Sequence, residues 1–349
     1  MARSGFGKLA ASALFCGLTL LNSSIVFGSD TVILSDATPV QVRTKQFDNF
    51  RIGRNTRTFG RVTFLGGLEL ISPDRNVGGL SGLLSLDHGN EILAVTDNGL
   101  WFSASLEQDS DSRPLGIENA RYTPLLNAKG KTLRASWKHD TEAITLDGDS
   151  ILVSAERANA IFRFPWPLAT GKERMLEELP VSEQIRNLRS TKGLEAMAMA
   201  PEGTPLSGTL LAVAERGPSG SDELPGFLLK GGKQKTFSIL RSERFDATDA
   251  AFLPSGDLLL LERRFNLRDL VGMRIRQFTA DSIRQSARLK GKVLLEADYG
   301  DQIDNMEGLS VHIDTNGSTI LTLLSDNNRS LLQRTLLLRF KLDASSPND

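Results

Sequence analysis

Acidic and amide side chains mark the ends of several short apolar runs in this sequence. In LLSDNN, residues 323–328, an apolar run ends in Asp326, Asn327 and Asn328. Upstream, DNMEGLSV begins with acid and amide groups, including Glu307, and then becomes apolar. If the two runs form a hairpin, Glu307 and Asp326 lie side by side, because the first strand starts beside the end of the second. Grouped oxygen donors of this kind are the ligands that calcium prefers.

The same acid-then-apolar plan occurs five times along the chain. Each occurrence has a polar anchor, a short strand, a turn rich in Gly, Pro, Asp and Asn, and a second strand that ends in an acid. The anchors recur at intervals of about 55 residues. They are Ser81, Glu142, Glu195, Asp249 and Glu307. The acids that end the second strands are Asp97, Glu156, Glu215, Glu262 and Asp326. Apart from Ser81, each anchor is expected near the acid of its own hairpin, and all of them on one rim of the fold.

Further strand candidates follow each hairpin and precede the next anchor, so each repeat supplies four antiparallel strands. Radial repetition of such units predicts an all-β fold, a β-propeller of five or six four-stranded antiparallel blades. The run RVTFLGGLELI, from Arg61, is expected to complete the last blade and to join the two ends of the chain. Residues 29–60 either belong to a further blade or decorate the first. The predicted propeller domain spans residues 29–349, with its core at about 60–342.

The residues that follow the second acids divide the rim into an arginine sector and an amide sector. Guanidinium groups recognise phosphate or carboxylate in a bidentate manner. The predicted substrate-binding arginines are Arg157, Arg216, Arg263 and Arg264. The predicted calcium ligands are Asp97, Asn98, Glu307, Asp326 and Asn327. A metal beside a guanidinium cluster could bind and polarise an anionic ester. Salt bridges between blades and ordinary turns are the structural alternatives for these two sets.

Glu195, Glu307 and His139 are the predicted catalytic residues. His139 comes just before an anchor near the rim and could act as an acid or a base. The other two histidines fall in a turn and within a strand, and no G-x-S-x-G motif is present. A serine hydrolase triad therefore has little support. No glycine loop of the nucleotide-binding type occurs either.

The N-terminal residues 1–28 have the pattern of a cleaved signal peptide. Arg3 and Lys8 precede the apolar run LAASALFCGLTLL, and VFG precedes Ser29. The apolar run is too short for a stable membrane anchor, so we expect a periplasmic or secreted protein without a transmembrane segment. The single cysteine, Cys16, lies in this leader, which excludes disulfides and thiol catalysis from the mature chain. The mature chain has a slight excess of acid, which argues against a nucleic-acid partner, and we expect a monomer.

Several of these motifs resemble the phytase-like family, described as proteins with esterase-like activity of phytase. GGLSGL, DTEAITL, KGLEAMAM, LLLLERRF, NMEGLSV, LLSDNN and QRTLLLRF carry the resemblance in order over about residues 60–342. It implies an exported propeller and an ester hydrolase. One departure is DTEA in place of DPEG near the second anchor, which puts Thr141 and Ala143 beside Glu142.

The residues and the resemblance together predict a hydrolase of phosphate or carboxylate esters. A small anionic ester would be its substrate, Ca²⁺ its cofactor, and a metal-assisted water at the rim its nucleophile. A metal-dependent lactonase is one alternative, for which the arginines would be dispensable. A non-catalytic periplasmic binding or scaffolding propeller is the other, in which the acids would be structural.

Overall fold

The computed structural model describes most of the chain beyond the predicted signal peptide. The described residues are Met1, 34–136, 138–188, 192–266, 270–330 and 332–343. Apart from Met1, the predicted signal peptide lies outside them. None of the described helices is long and apolar enough to cross a membrane.

Four strands precede the first complete hairpin, and the blades then follow in chain order. The N-terminal strands are β1 (Thr38–Pro39), β2 (Arg43–Phe47), β3 (Thr58–Phe59) and β4 (Val62–Ile71). The first blade contains β5 (Leu80–Leu86), β6 (Glu91–Thr96), β7 (Leu100–Gln108) and β8 (Pro114–Pro124). The second contains β9 (Thr141–Asp147), β10 (Ser150–Ala155), β11 (Ala160–Pro165) and β12 (Glu177–Glu178). The third contains β13 (Leu194–Met199), β14 (Leu210–Ala214), β15 (Glu223–Lys230) and β16 (Lys233–Leu240).

The fourth and fifth blades complete the ring. The fourth blade contains β17 (Asp246–Phe252), β18 (Leu258–Asn266), β19 (Leu270–Phe278) and β21 (Lys292–Asp298), while β20 (Arg288–Leu289) pairs with β16. The fifth contains β22 (Asn305–Ile313), β23 (Thr319–Asp326), β24 (Thr335–Leu342) and β4. Helices are short: α1 (Glu183–Arg186), α2 (Ala280–Gln285) and 3₁₀ turns at Asp87–Gly89 and Arg134–Ser136.

The inner strands show that the propeller has five blades. Strands β5, β9, β13, β17 and β22 contact one another in that order, and β22 contacts β5 to close the ring. Strand β4 pairs antiparallel with β24, with Gly67 opposite Leu338, so the predicted joining of the two chain ends is confirmed. The preceding residues decorate existing blades, because β1 adds to β8 and β2 adds to β4.

Apolar packing between neighbouring blades holds the ring together. Each of the five apolar clusters lies between two adjacent blades. In β18, for example, Leu259 and Leu261 pack toward the fifth blade, while Leu258 and Leu260 pack toward the third. Successive side chains of a strand point to opposite faces, so a strand between two other sheets is apolar on both. These strands therefore read as continuous apolar runs that end in polar residues at the rims.

Candidate functional site

The candidate site lies where the inner strands meet at one mouth of the central channel. In every blade the pairing of the first two strands shifts by a residue near the start of the inner strand. Such a bulge re-aims the side chain that it displaces. The residues at the five bulges are Gly82, Glu142, Glu195, Thr248 and Glu307. Glu142, Glu195 and Glu307 act electrostatically on one another from three different blades, so their carboxylates converge.

Two further glutamates join this convergence from the ends of the second strands. Carboxylate oxygens of Glu156, Glu195 and Glu215 lie within 4.8 Å of one another, and all three residues are buried. Oxygens of Asp140, Glu142 and Glu156 form a second such group. Glu156 belongs to both groups. The predicted proximity of Glu142 to Glu156, and of Glu195 to Glu215, is confirmed. Both groups of acidic residues could hold a metal ion. We call Glu142, Glu156, Glu195, Glu215 and Glu307 the carboxylate cluster.

Crowding and burial make the carboxylate cluster resist full ionisation. Burial raises the pKa of Glu142 and of Glu195 well above the usual value, and neighbouring carboxylates raise both further. Burial also raises the pKa of Glu156 to about 7, although the backbone N–H of Gly193 donates a hydrogen bond of 3.1 Å to this carboxylate. In the described part of the chain, the Glu195 carboxylate receives no hydrogen bond. If all five carboxylates were ionised, their negative charge would exceed what the surrounding hydrogen-bond donors compensate.

Two cationic side chains offset part of this charge. Arg263 forms ion pairs with Glu307 and, at 3.4 Å, with Glu215. Lys192 forms an ion pair with the other oxygen of Glu215. Burial alone would lower the pKa of Arg263, but Glu307, followed by the other carboxylates, raises it above its usual range. Among the residues that the structure describes, five carboxylates thus face two cations.

Glu307 keeps one oxygen available in this arrangement. Its Oε1 accepts hydrogen bonds from Arg263 and, at 2.7 Å, from the Asn305 side chain. Its Oε2 is buried and has no hydrogen-bond partner among the described residues. Burial raises the pKa of Glu307 to about 7, with Arg263 opposing that shift. A carboxylate with a free oxygen and such a pKa can accept a proton near neutral pH.

The prediction that Asp249 and Glu262 face each other at the rim is wrong. The bulge of the fourth blade falls at Thr248, so Ala247 lies opposite Glu262 and Asp249 lies opposite Leu261. A slip of one residue moves a side chain to the other face of the strand. Arg263, not Glu262, therefore holds the position in its blade that Glu215 and Asp326 hold in theirs.

Both displaced acids have structural partners instead. Glu262 is fully buried and accepts hydrogen bonds from Arg274 at 2.9 Å and from Arg276 at 2.6 and 2.7 Å. Asp249 accepts a backbone hydrogen bond of 2.8 Å from Leu309 of the fifth blade, and a further backbone hydrogen bond comes from Leu83 of the first. Asp249 thus ties three inner strands together.

The amide sector contains an arginine that sequence analysis did not take into account. Arg329 donates two hydrogen bonds to Asp97, of 2.6 and 2.7 Å, and its backbone N–H bonds to the Asn327 side chain at 2.9 Å. Asp326 accepts hydrogen bonds from the backbone N–H groups of Gly79 and Asn328 at 2.6 and 2.8 Å.

The predicted calcium ligands are only partly brought together. Asp326 acts electrostatically on Glu307, as expected for this hairpin, and Asp97 acts on Asp326. Asn98 lies in the turn after β6, and Glu307 belongs to the carboxylate cluster. Among the described residues, Asp97, Glu307 and Asp326 do not form a group with oxygens within 4.8 Å of one another. Most oxygens of the predicted set are already engaged by protein donors.

The predicted arginines and His139 occupy different places. Arg157 donates to Asp140 at 3.2 Å and is half exposed, with 51% of its side-chain surface accessible. Arg216 pairs with Asp246 at the neighbouring blade. Arg264 packs against a ring outside the cluster, and His139 lies beside the Gly99 turn. Of the predicted catalytic and substrate-binding residues, the structure brings Glu195, Glu307 and Arg263 together.

Comparison with known proteins identifies the family. The model of the phytase-like family, described as "Esterase-like activity of phytase", matches residues 75–329. The chain belongs to this phytase-like family. The match runs from just before the first hairpin to Arg329 and so includes the whole carboxylate cluster. It confirms the resemblance drawn from the motifs. No curated protein matches this phytase-like chain.

Solved structures with similar folds are distant from this phytase-like propeller. The endo-arabinase of Bacteroides thetaiotaomicron is 10% identical, with a TM-score of 0.49 over 77% of this chain and 95% of that chain. The glutaminyl cyclase of Myxococcus xanthus is 11% identical, with a TM-score of 0.39 over 81% of this chain and 97% of that chain. Likenesses this weak carry no inference about the activity of this chain.

Proposed function

We propose that this phytase-like propeller hydrolyses phosphate or carboxylate esters at the channel mouth, with a divalent cation held by Glu156, Glu195 and Glu215. The observation that carries the proposal is the convergence of three buried carboxylates whose oxygens lie within 4.8 Å of one another. Glu195, which is only 5% exposed, receives no hydrogen bond within the described residues. Buried carboxylates are normally paired or bind metal, so this cluster has the character of a cation site.

Calcium fits the donor chemistry of the site. The ligands on offer are hard carboxylate oxygens, which calcium prefers, and neither sulfur nor imidazole belongs to either acidic group. Glu142 shares its group with Glu156 and supplies further oxygens on the side toward Asp140. When bound, such a cation polarises the ester and lowers the pKa of water.

Glu307 is the proposed general base. Its free Oε2 is buried, while Arg263 and Asn305 hold Oε1. Fixing one oxygen directs the other into the cluster, where a proton from an attacking water can be taken up. Glu195 acts in this proposal as a cation ligand rather than as an acid or base.

Arginines at the channel mouth supply the proposed contacts to an anionic substrate. Arg157 and Arg216 have 51% and 39% of their side-chain surface exposed. Within the described part of the chain, each is held by one aspartate, Asp140 or Asp246, and has further N–H groups that could bind phosphate or carboxylate oxygens. His139 precedes Asp140 and remains a proposed acid for the leaving group. We also propose that the protein acts outside the cytoplasm, because residues 1–28 have the pattern of a signal peptide.

The test is ester hydrolysis by the purified protein, measured as phosphate release from phytate and an aryl phosphate and as cleavage of an aryl carboxylate ester. Each reaction is run with calcium and with chelator. Glu195→Gln and Glu307→Gln are compared with Glu202→Gln, which alters an exposed glutamate in a turn of the same blade as Glu195. We expect calcium-dependent hydrolysis that falls at least 100-fold in Glu307→Gln, since a general base contributes about 10²–10⁴-fold. Hydrolysis should also fall in Glu195→Gln, because the cation loses a ligand, and should be unchanged in Glu202→Gln. Hydrolysis that is indifferent to chelator and to Glu195→Gln would overturn the proposal.

A further inference from the structure

A second group of buried polar side chains lies between the first and fifth blades, toward the other end of the strands. Arg339 of β24 is fully buried there. Its terminal nitrogens donate to the backbone oxygens of Ser112 and Gly89 and to the Gln108 side chain. All three acceptors are uncharged. Among the described residues, no carboxylate oxygen lies within 4.0 Å of the Arg339 guanidinium, so its charge has no ionic partner.

Several donors around Arg339 also lack partners. Five buried atoms make no hydrogen bond to any residue that the structure describes: the Nε of Arg339, both ring nitrogens of His312, the Thr322 hydroxyl and the Ser85 hydroxyl. These five atoms are a large part of the unsatisfied buried polar atoms in the described chain. Buried polar groups are normally satisfied, so a concentration of such atoms in one place indicates a missing partner.

Strand pairing places these groups on one face. Thr322 lies directly opposite Arg339 across β23 and β24, and opposite Ser310 across β22 and β23. The Ser310 hydroxyl accepts a hydrogen bond of 2.8 Å from the backbone N–H of Ser85 in the first blade. His312 follows Ser310 by two positions and so points to the same face. That face is the interface with the first blade.

Gly89 lies close to both the imidazole of His312 and the guanidinium of Arg339. A Cβ atom built on Gly89 would lie 2.5 Å from Nε2 of His312 and 2.7 Å from Nη2 of Arg339. Both nitrogens therefore flank the same point on the 3₁₀ turn of the first blade. Asp314 acts electrostatically on His312, but its oxygens accept hydrogen bonds from Ser112 and from the backbone of the following turn.

We propose that a small monovalent anion, chloride in physiological media, binds between the first and fifth blades against Arg339, His312, Thr322 and Ser85. The Nε of Arg339 and the hydroxyls of Thr322 and Ser85 can each donate a hydrogen bond. Burial and the charge of Arg339 lower the pKa of His312 to about 3, so its ring is neutral and donates from one of its two nitrogens. A water molecule would satisfy the hydroxyls but would leave the buried guanidinium charge uncompensated, whereas an anion satisfies both. The lining side chains are all less than 10% exposed, so the site selects a small ion that can shed its water.

The first test is crystallographic. Crystals of the full chain grown or soaked in sodium bromide are measured at the bromine absorption edge. An anomalous peak within hydrogen-bond distance of Arg339 Nε, reproduced in crystals grown under a second condition, supports the site. Density there that is water or empty at saturating bromide overturns it.

The second test is thermal unfolding in solution at constant ionic strength, with chloride replaced stepwise by gluconate. Chloride at saturation is expected to raise the unfolding midpoint by about 2 °C or more, because it binds only the folded chain. Arg339→Met should abolish this dependence. Arg276→Met is the matched control, since it removes a buried arginine that is already paired with Glu262. It should lower the midpoint yet keep the chloride dependence. A wild-type midpoint that is the same in chloride and gluconate contradicts the proposal even if Arg339→Met does not fold.

Discussion

Arg263 of the fourth blade donates a hydrogen bond to Glu307 of the fifth blade and a second one to Asn305. The contact joins the ends of two blades and fixes one oxygen of Glu307. It also places an arginine beside the carboxylate cluster, at the position where the second and third blades carry Glu156 and Glu215. The charge balance of the proposed site therefore depends on this guanidinium together with the ammonium group of Lys192.

Replacing Arg263 should change both the rate and its dependence on pH. In Arg263→Met, Glu307 loses its main opposite charge, so its pKa rises and a higher pH is needed to deprotonate the base. We expect kcat/KM near neutral pH to fall at least tenfold and the acidic limb of its pH profile to move to higher pH. Arg264→Met is the control, because Arg264 packs against the Phe245 ring outside the cluster. An unshifted pH profile in Arg263→Met would show that Glu307 is not the base.

Without a bound cation, the stability of the protein should decrease as the pH rises. Burial raises the pKa of Glu156 and of Glu307 from 4.5 to about 7, so the folded state binds more protons than the unfolded state between these values. The free energy of unfolding then falls as the pH increases from about 4.5 to 7. Urea unfolding in chelator at a series of pH values measures this slope.

Calcium should make the free energy of unfolding depend less on pH, because a cation stabilises the ionised carboxylates. Glu156→Gln in chelator should reduce this dependence as well, since one of the titrating groups is gone. A free energy of unfolding that rises over this pH range in chelator would contradict the arrangement of the cluster.

Glu262 should matter for stability rather than for chemistry. It is fully buried between Arg274 and Arg276. Glu262→Gln therefore leaves the Arg276 guanidinium without a carboxylate and leaves Arg274 with only the exposed Glu243, 3.9 Å away. Breaking such a pair costs about 3–5 kcal/mol. We expect a loss of that size in urea unfolding, with the kcat of the folded fraction unchanged. A loss no larger than that of the exposed Glu202→Gln variant would show that this buried network contributes little.

Two sets of acids compete as the cation site, and Asp326 distinguishes them. Asp326 accepts two backbone hydrogen bonds, and its neighbour Asp97 is held by Arg329. We expect Asp326→Asn to leave calcium affinity within about twofold of the wild type while lowering stability by about 1–3 kcal/mol, the usual cost of an impaired buried hydrogen bond. A tenfold or greater loss of calcium affinity would place the cation in the amide sector instead.

The sequence repeat predicted most of the fold. Acid-then-apolar hairpins at a regular interval predicted the blades and the closing strand from Arg61, and the structure confirms both. The expected rim pairing of anchor and acid fails in the fourth blade. The number of blades could not be predicted, because two short N-terminal strands that decorate existing blades look like the start of another.

The candidate site was harder to predict because it depends on bulges. In the second, third and fifth blades the displaced residue is a glutamate, and sequence analysis identified Glu142, Glu195 and Glu307 correctly as anchors. In the fourth blade the bulge falls one residue before Asp249, which moves Glu262 away from the rim and Arg263 into it. Nothing in a single sequence marks such a shift. The pairing of Arg329 with Asp97 joins residues far apart in the chain and is likewise invisible to local patterns.

Calcium binding measured by isothermal titration calorimetry tests the central claim most directly. The wild type, Glu195→Gln and Glu202→Gln are titrated after removal of metal. The carboxylate cluster predicts a saturable site in the wild type and in Glu202→Gln, with affinity at least tenfold weaker in Glu195→Gln. No calcium binding by the wild type, or equal binding by Glu195→Gln, would contradict the assignment of the cation to Glu156, Glu195 and Glu215.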